Sequence, residues 1–182
     1  MPFTSTNIEG LLLFEPRVFE DPRGYFFEAY NQAAFSEAGI AHSFIQDNQS
    51  YSSYGVIRGL HYQLKPHGQC KLVRVLDGCI LDVAVDVRTE SPTYGKVFSA
   101  ELSAANKKQL LIPHGFAHGF SVLSPTATVL YKCDAFYHKE SEAGIIYNDE
   151  DLAIDWQIPP GKQIISEKDR QLPLFKDSVN NF

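Results

Sequence analysis

Cysteine, positive charge and long apolar runs are all in short supply in this chain of 182 residues. Cys70, Cys79 and Cys133 are odd in number and widely spaced, with no C-x-x-C pair. That pattern speaks against a disulfide framework and a zinc site, and leaves reduced, buried thiols as the expectation. Lys and Arg number 16 against 22 Asp and Glu, a formal net charge of -6. Such a surface repels a phosphate polymer at long range, so no nucleic-acid partner is expected. A small anionic ligand remains compatible, because a few arginines in one pocket outweigh a diffuse surface charge. The run Leu11-Leu12-Leu13-Phe14 is far too short to cross a membrane or serve as a signal segment. No membrane partner is expected, and a cytoplasmic location is the simplest assignment. Repeats, low-complexity tracts and linkers are missing as well, so residues 1–182 are expected to form one domain, long enough to bury a core unaided.

Aromatic residues are plentiful, with 13 Phe and 9 Tyr beside a single Trp and a single Met. Tyrosine in that quantity favours strands and pockets that want an apolar body with a polar tip. Strand-like segments fill the middle of the chain: 55–64, 71–76, 79–87, 96–103, 109–113, 118–123 and 128–137. Gly and Pro punctuate them at short intervals, as in an antiparallel sandwich or barrel. Asp77-Gly78 between two β-branched runs predicts a two-residue hairpin, with Val75 facing Ile80 and Val73 facing Asp82. Lys71, Val73, Val75, Ile80, Asp82 and Ala84 then share one face. An ammonium and a carboxylate among valines are too costly for plain core, so that face is expected to line a wet cavity. Short helices are expected at Asn31–Ile40, stopped by Gly39, and at Ser166-Glu167-Lys168-Asp169. The fold class is therefore mainly β: a jelly-roll β-barrel or sandwich with a few short helices, its lumen being the site.

Several residues could carry chemistry there. His61 shares its strand face with Gln63, and Tyr131 alternates with Val129 and Cys133 on an otherwise apolar face, so its hydroxyl needs an interior partner. His114 and His118 lie in a segment, Ile112 to Gly119, similar to the second motif of metal-binding cupins. The first such motif needs an H-x-H pair, and His61-Tyr62-Gln63 does not supply it, so hydrogen-bonded histidines are expected rather than metal ligands. Strict alternation puts Arg58 and His61 on opposite faces. If both serve one site, Gly59 must mark a bulge.

An ordered set of segments then becomes recognisable: Asp21-Pro22-Arg23-Gly24-Tyr25-Phe26-Phe27-Glu28, Gln46-Asp47-Asn48, Gly55 to Gln63, Lys71-Leu72-Val73, Asp82 to Asp86, Ser91 to Gly95, Ile112 to Phe120 and Ser166 to Asp169. This set resembles the dTDP-4-dehydrorhamnose 3,5-epimerase family over nearly the whole chain. The resemblance implies a cupin-type barrel without metal or other cofactor, usually a homodimer in which the partner supplies the N-terminal part of the site. It implies epimerisation of dTDP-4-dehydro-6-deoxy-D-glucose at C3 and C5, a step toward dTDP-L-rhamnose for bacterial surface polysaccharide. By position in the motifs it implies His61 as base, Tyr131 as acid, Asp169 orienting His61 and Lys71 beside the substrate's C4 oxygen. Arg23, Glu28, Gln46, Asn48, Arg58, His118, Glu142 and Lys168 would line the nucleotide-sugar site, with Asp82 on the face of Lys71. Departures from the pattern (Gln49, Tyr147 and Gln157) fall outside the proposed catalytic positions. Three other readings stand beside this one: an epimerase acting at one carbon only, a silent nucleotide-sugar-binding jelly roll, and a metal cupin.

Overall fold

Side chains that alternate across strands, apolar on both faces in the central ones, call for two sheets covered inside and out. The computed structural model describes residues 3–182. Its strands, in chain order, are β1 (Phe3–Ser5), β2 (Leu12–Phe14), β3 (Val18–Asp21), β4 (Gly24–Phe27), β5 (Gln46–Ser53), β6 (Ile57–Gln63), β7 (Lys71–Asp77), β8 (Cys79–Asp86), β9 (Val97–Ser103), β10 (Gln109–Ile112), β11 (Phe116–Val122), β12 (Thr126–Cys133) and β13 (Glu142–Gly144). One sheet has the order β1-β2-β10-β7-β12-β5 and the other β13-β6-β11-β8-β9, while β3 and β4 form a separate two-stranded ribbon. The architecture is the expected mainly-β sandwich.

Three apolar layers hold it together. Between the sheets lie Val73, Val75, Ile80, Ala84, Phe120, Val122 and Val129. Outside the second sheet, Leu81, Val83 and Val85 meet Leu152, Trp156 and Ile165 of the C-terminal segment. Outside the first sheet, Cys70, Leu72 and Leu111 are covered by Phe35 and Ile40. Each fully buried Val, Leu, Ile or Phe among them contributes about 1.5–3 kcal/mol. This is why β8 is buried along almost its whole length instead of alternating.

Both short helices form as expected. Helix α1 (Gln32–Glu37) is capped by Asn31, whose side chain accepts from the Ala33 and Ala34 N–H groups, and Gly39 follows it at φ +82. Helix α2 (Glu167–Arg170) is capped by Ser166, which accepts from the Asp169 N–H. That cap turns the buried Asp169 inward.

The Asp77-Gly78 hairpin does not form. β7 pairs with β10 and β12, whereas β8 pairs with β11 and β9, so the chain changes sheets at this corner. Its backbone is engaged elsewhere: the Cys79 N–H donates to Ser124 Oγ and the Ala104 N–H to the Gly78 carbonyl. Pairing over seven residues with β11 and seven with β9 outweighs a short hairpin. The shared face survives for a different reason, because inward side chains of β7 and β8 look at each other across the sandwich. β5 was not apparent in sequence, its run Gln46–Ser53 being polar; it is an edge strand, paired among the described residues only with β12.

Candidate active site

The site begins with an irregularity in β6. Against β11, His61 pairs with His118 but Arg58 pairs with Phe120, so three steps on one strand oppose two on the other. Gly59 stands between them at φ +109, and a Cβ there would lie 2.6 Å from the His118 carbonyl oxygen. The extra residue brings Arg58 and His61 to the same cavity, resolving the conflict with strict alternation. That cavity has a volume of about 510 Å³, and a smaller one of about 190 Å³ adjoins it. His61, Lys71 and Tyr131 line both. His61 comes from the second sheet, and Lys71 and Tyr131 come from the first, so they face the hollow from opposite walls.

His61 is held firmly. Its Nε2 lies 2.9 Å from Asp169 Oδ1, and the other carboxylate oxygen accepts from the Gly59 N–H at 3.2 Å. Burial pushes the Asp169 carboxyl up, but the hydrogen bonds from His61, Gly59 and Ser166 outweigh it and leave it below its usual range. An ionised Asp169 fixes one ring nitrogen as the donor and leaves the other with its lone pair. Lys71 donates to the His61 carbonyl at 3.4 Å. Burial lowers the Lys71 ammonium pKa, against the opposing pull of Cys133, Asp82 and Glu142. Tyr131 is pushed up, mainly by burial.

A second histidine–carboxylate pair stands beside the first. His118 Nε2 lies 2.7 Å from Asp82 Oδ1, and both residues are buried. Desolvation lowers the His118 pKa in spite of Asp82. Asp82 does not reach the cavity surface; it stands behind His118. His114 is hydrogen-bonded too, to Asp134 and away from the hollow.

Of the remaining expected residues, Arg58 and Lys168 line the larger cavity, and Gln46, Asn48 and Glu142 line the smaller. Lys168 Nζ lies 2.6 Å from Glu142 Oε1, and the Tyr137 hydroxyl donates to Glu142 Oε2 at 3.0 Å. Those two bonds outweigh burial and hold Glu142 below its ordinary range. Arg23 and Glu28 are not brought to this hollow. Arg23 sits at the exposed turn of the β3–β4 ribbon, paired with Asp21, and Glu28 lines a separate groove with Phe14 and Phe35.

Residues 5–177 match the family dTDP-4-dehydrorhamnose 3,5-epimerase. A protein of that name from Shigella flexneri is 50% identical over 179 residues, covering 98% of both chains. The chain belongs to the dTDP-4-dehydrorhamnose 3,5-epimerase family. Among solved structures, the family's enzyme from Elizabethkingia anophelis superposes with a TM-score of 0.93 at 55% identity, covering 96% of each chain. The dTDP-6-deoxy-D-glucose-3,5-epimerase of Legionella pneumophila, in complex with dTDP-4-keto-L-rhamnose, gives 0.92 at 46% identity, covering 96% of this chain and 93% of that one. The expected family and the cupin-like sandwich are thereby established, and the chain is an enzyme of the epimerase class.

Sequence reasoning missed part of this family member's site. Val56, Ile57, Phe120, Ile164 and Ile165 give the larger cavity an apolar rim, and Tyr137 and Gln69 line the smaller one. Ile164 and Ile165 reach it because residue 164 bridges to Val56, a contact between segments more than a hundred residues apart. Nothing in the local pattern signals it. Ser52 accepts from Arg58 Nε at 3.1 Å, and it too belongs to the strand that composition hid.

Proposed function

We propose that this chain epimerises dTDP-4-dehydro-6-deoxy-D-glucose at C3 and C5, giving dTDP-4-dehydro-L-rhamnose, with His61 as base and Tyr131 as acid. Both carbons flank the C4 ketone, so each proton leaves as an enolate forms. The reading is carried by the placement of His61 and Tyr131 on opposite walls of one hollow, with Lys71 beside them. Inversion requires removal of a proton from one face of the ring and delivery to the other, and two opposed groups meet that need. General-base help is worth about 10²–10⁴-fold. Lys71 contributes on a comparable scale: losing one donor to a developing oxyanion costs about 2.7–4 kcal/mol. Its lowered pKa makes the ammonium a stronger donor to the C4 oxygen. Tyr131, raised by burial, keeps its proton at neutral pH until a basic enolate takes it.

Arg58 and Lys168 at the rim of the larger cavity suit the diphosphate, and Gln46, Asn48, His118 and Glu142 suit the remaining polar groups of the dTDP-sugar. Arg23 and Glu28 fit this assignment through a homodimer, in which the exposed β3–β4 ribbon of one subunit completes the site of the other. The test is incubation with the keto-sugar nucleotide in deuterated water. Deuterium should enter at both C3 and C5, and Tyr131→Phe should impair inversion more than exchange. Exchange at one carbon alone would assign a single epimerisation, and none from folded protein would leave a binding role.

A further inference from the structure

We propose that His42, Cys70 and Asp134 form a transition-metal site on the outer side of the first sheet, separate from the hollow. Each offers one ligand atom, and the three atoms lie within 4.8 Å of one another. A tetrahedral ion with bonds of about 2.0–2.3 Å holds its ligand atoms roughly 3.3–3.8 Å apart, so small side-chain shifts close the set around an ion. Alternation separates the two sites: Lys71 points into the hollow, while its neighbour Cys70 packs in the outer layer with Leu72 and Phe35. Likewise Tyr131 faces inward on β12, and Asp134 lies just beyond that strand's end.

The carboxylate is already positioned on both sides. Asp134 Oδ1 accepts from the Cys70 N–H at 2.7 Å, and Oδ2 lies 2.6 Å from His42 Nδ1. His114 Nε2 approaches the same Oδ2 at 2.9 Å, the outer-sphere contact that steadies a ligating carboxylate. One nitrogen, one oxygen and one sulfur are a borderline-soft set that suits zinc or cobalt and not calcium or magnesium. Binding needs His42 to carry its proton on Nε2, freeing Nδ1, and Cys70 to release its thiol proton to solvent. Burial and the Asp134 carboxylate push that thiol up in the metal-free protein, and the ion's charge offsets both. The ion can reach the site because the His42 and His114 side chains are 30% and 44% exposed. Since His42 lies on the loop after α1, a bound ion would staple that helix to the sheet.

The full-length protein, dialysed against chelator, is titrated with Co²⁺ alone and then with Zn²⁺. The expected spectrum has tetrahedral cobalt bands and a near-ultraviolet thiolate-to-cobalt band, saturating at a single ion per chain and bleached by Zn²⁺. His42→Ala should abolish saturation, and His114→Ala should weaken it by about 10–100-fold; circular dichroism confirms that each variant is folded. The proposal is overturned by a lack of saturable binding, by a cobalt spectrum without the thiolate band, or by binding undiminished in both folded variants.

Discussion

Two histidine–carboxylate pairs sit side by side across β6 and β11, His61 directly opposite His118, and they differ in one respect that sorts their roles. The His61 side chain is 32% exposed and opens on the hollow, while that of His118 is 8% exposed and shields an Asp82 with no exposure at all. A base must meet its substrate, exchange protons and recover. A buried histidine whose pKa is lowered by desolvation instead supplies a fixed, neutral donor. On the proposed function, similar chemistry at similar distance serves proton transfer in one pair and a fixed polar contact in the other, and access to solvent is what separates them.

The comparison can be broken at three points. The largest effect is expected for His61→Ala, which should slow deuterium exchange at both carbons by about 10⁴-fold with folding intact, the upper end of a general base's contribution. A comparable rate loss in His118→Ala would erase the distinction. Next comes stability. His118→Leu removes the only hydrogen-bond partner of the Asp82 carboxylate among the described residues, its Oδ2 being already unpaired and buried. Urea denaturation should show a loss of about 3–5 kcal/mol, and adding Asp82→Leu should restore most of it, because a matched apolar pair leaves no stranded charge.

The smallest effect belongs to Asp169→Asn, which keeps the shape but loses the charge behind His61. It should lower turnover by about 10–100-fold. Its stability signature has a definite sign. The folded carboxyl is held below its ordinary range, so its contribution is complete above the unfolded pKa and fades as pH falls through the folded one. Wild type and variant should differ in melting temperature at neutral pH and converge in strong acid.

How far these pairs were visible in sequence follows from the distances involved. The bulge at Gly59 could be inferred from a conflict confined to four residues, the start of the second helix from a four-residue signature, and the end of the first from Gly39. The face shared by Lys71, Val73, Ile80 and Asp82 was also legible, although the hairpin thought to create it was not there: alternation is local, whereas the choice of pairing partner depends on β11 and β12. The separation of 108 positions between His61 and Asp169 places that contact beyond any local pattern, and only motif resemblance anticipated it. β5 stayed hidden because its inward residues are serines, asparagine and glutamine serving a wet cavity. Arg23 and Glu28 illustrate a different gap, since a single chain does not gather them to its own hollow.

The added residue in β6 has a geometric payoff. A regular strand can show a given side only every second side chain, at intervals of nearly 7 Å. By slipping one unit of chain out of step, this strand aims a guanidinium and an imidazole the same way at a spacing that regular pleating forbids. A ligand with its charge and its reactive carbons at unequal intervals can therefore be gripped along a single ribbon of backbone.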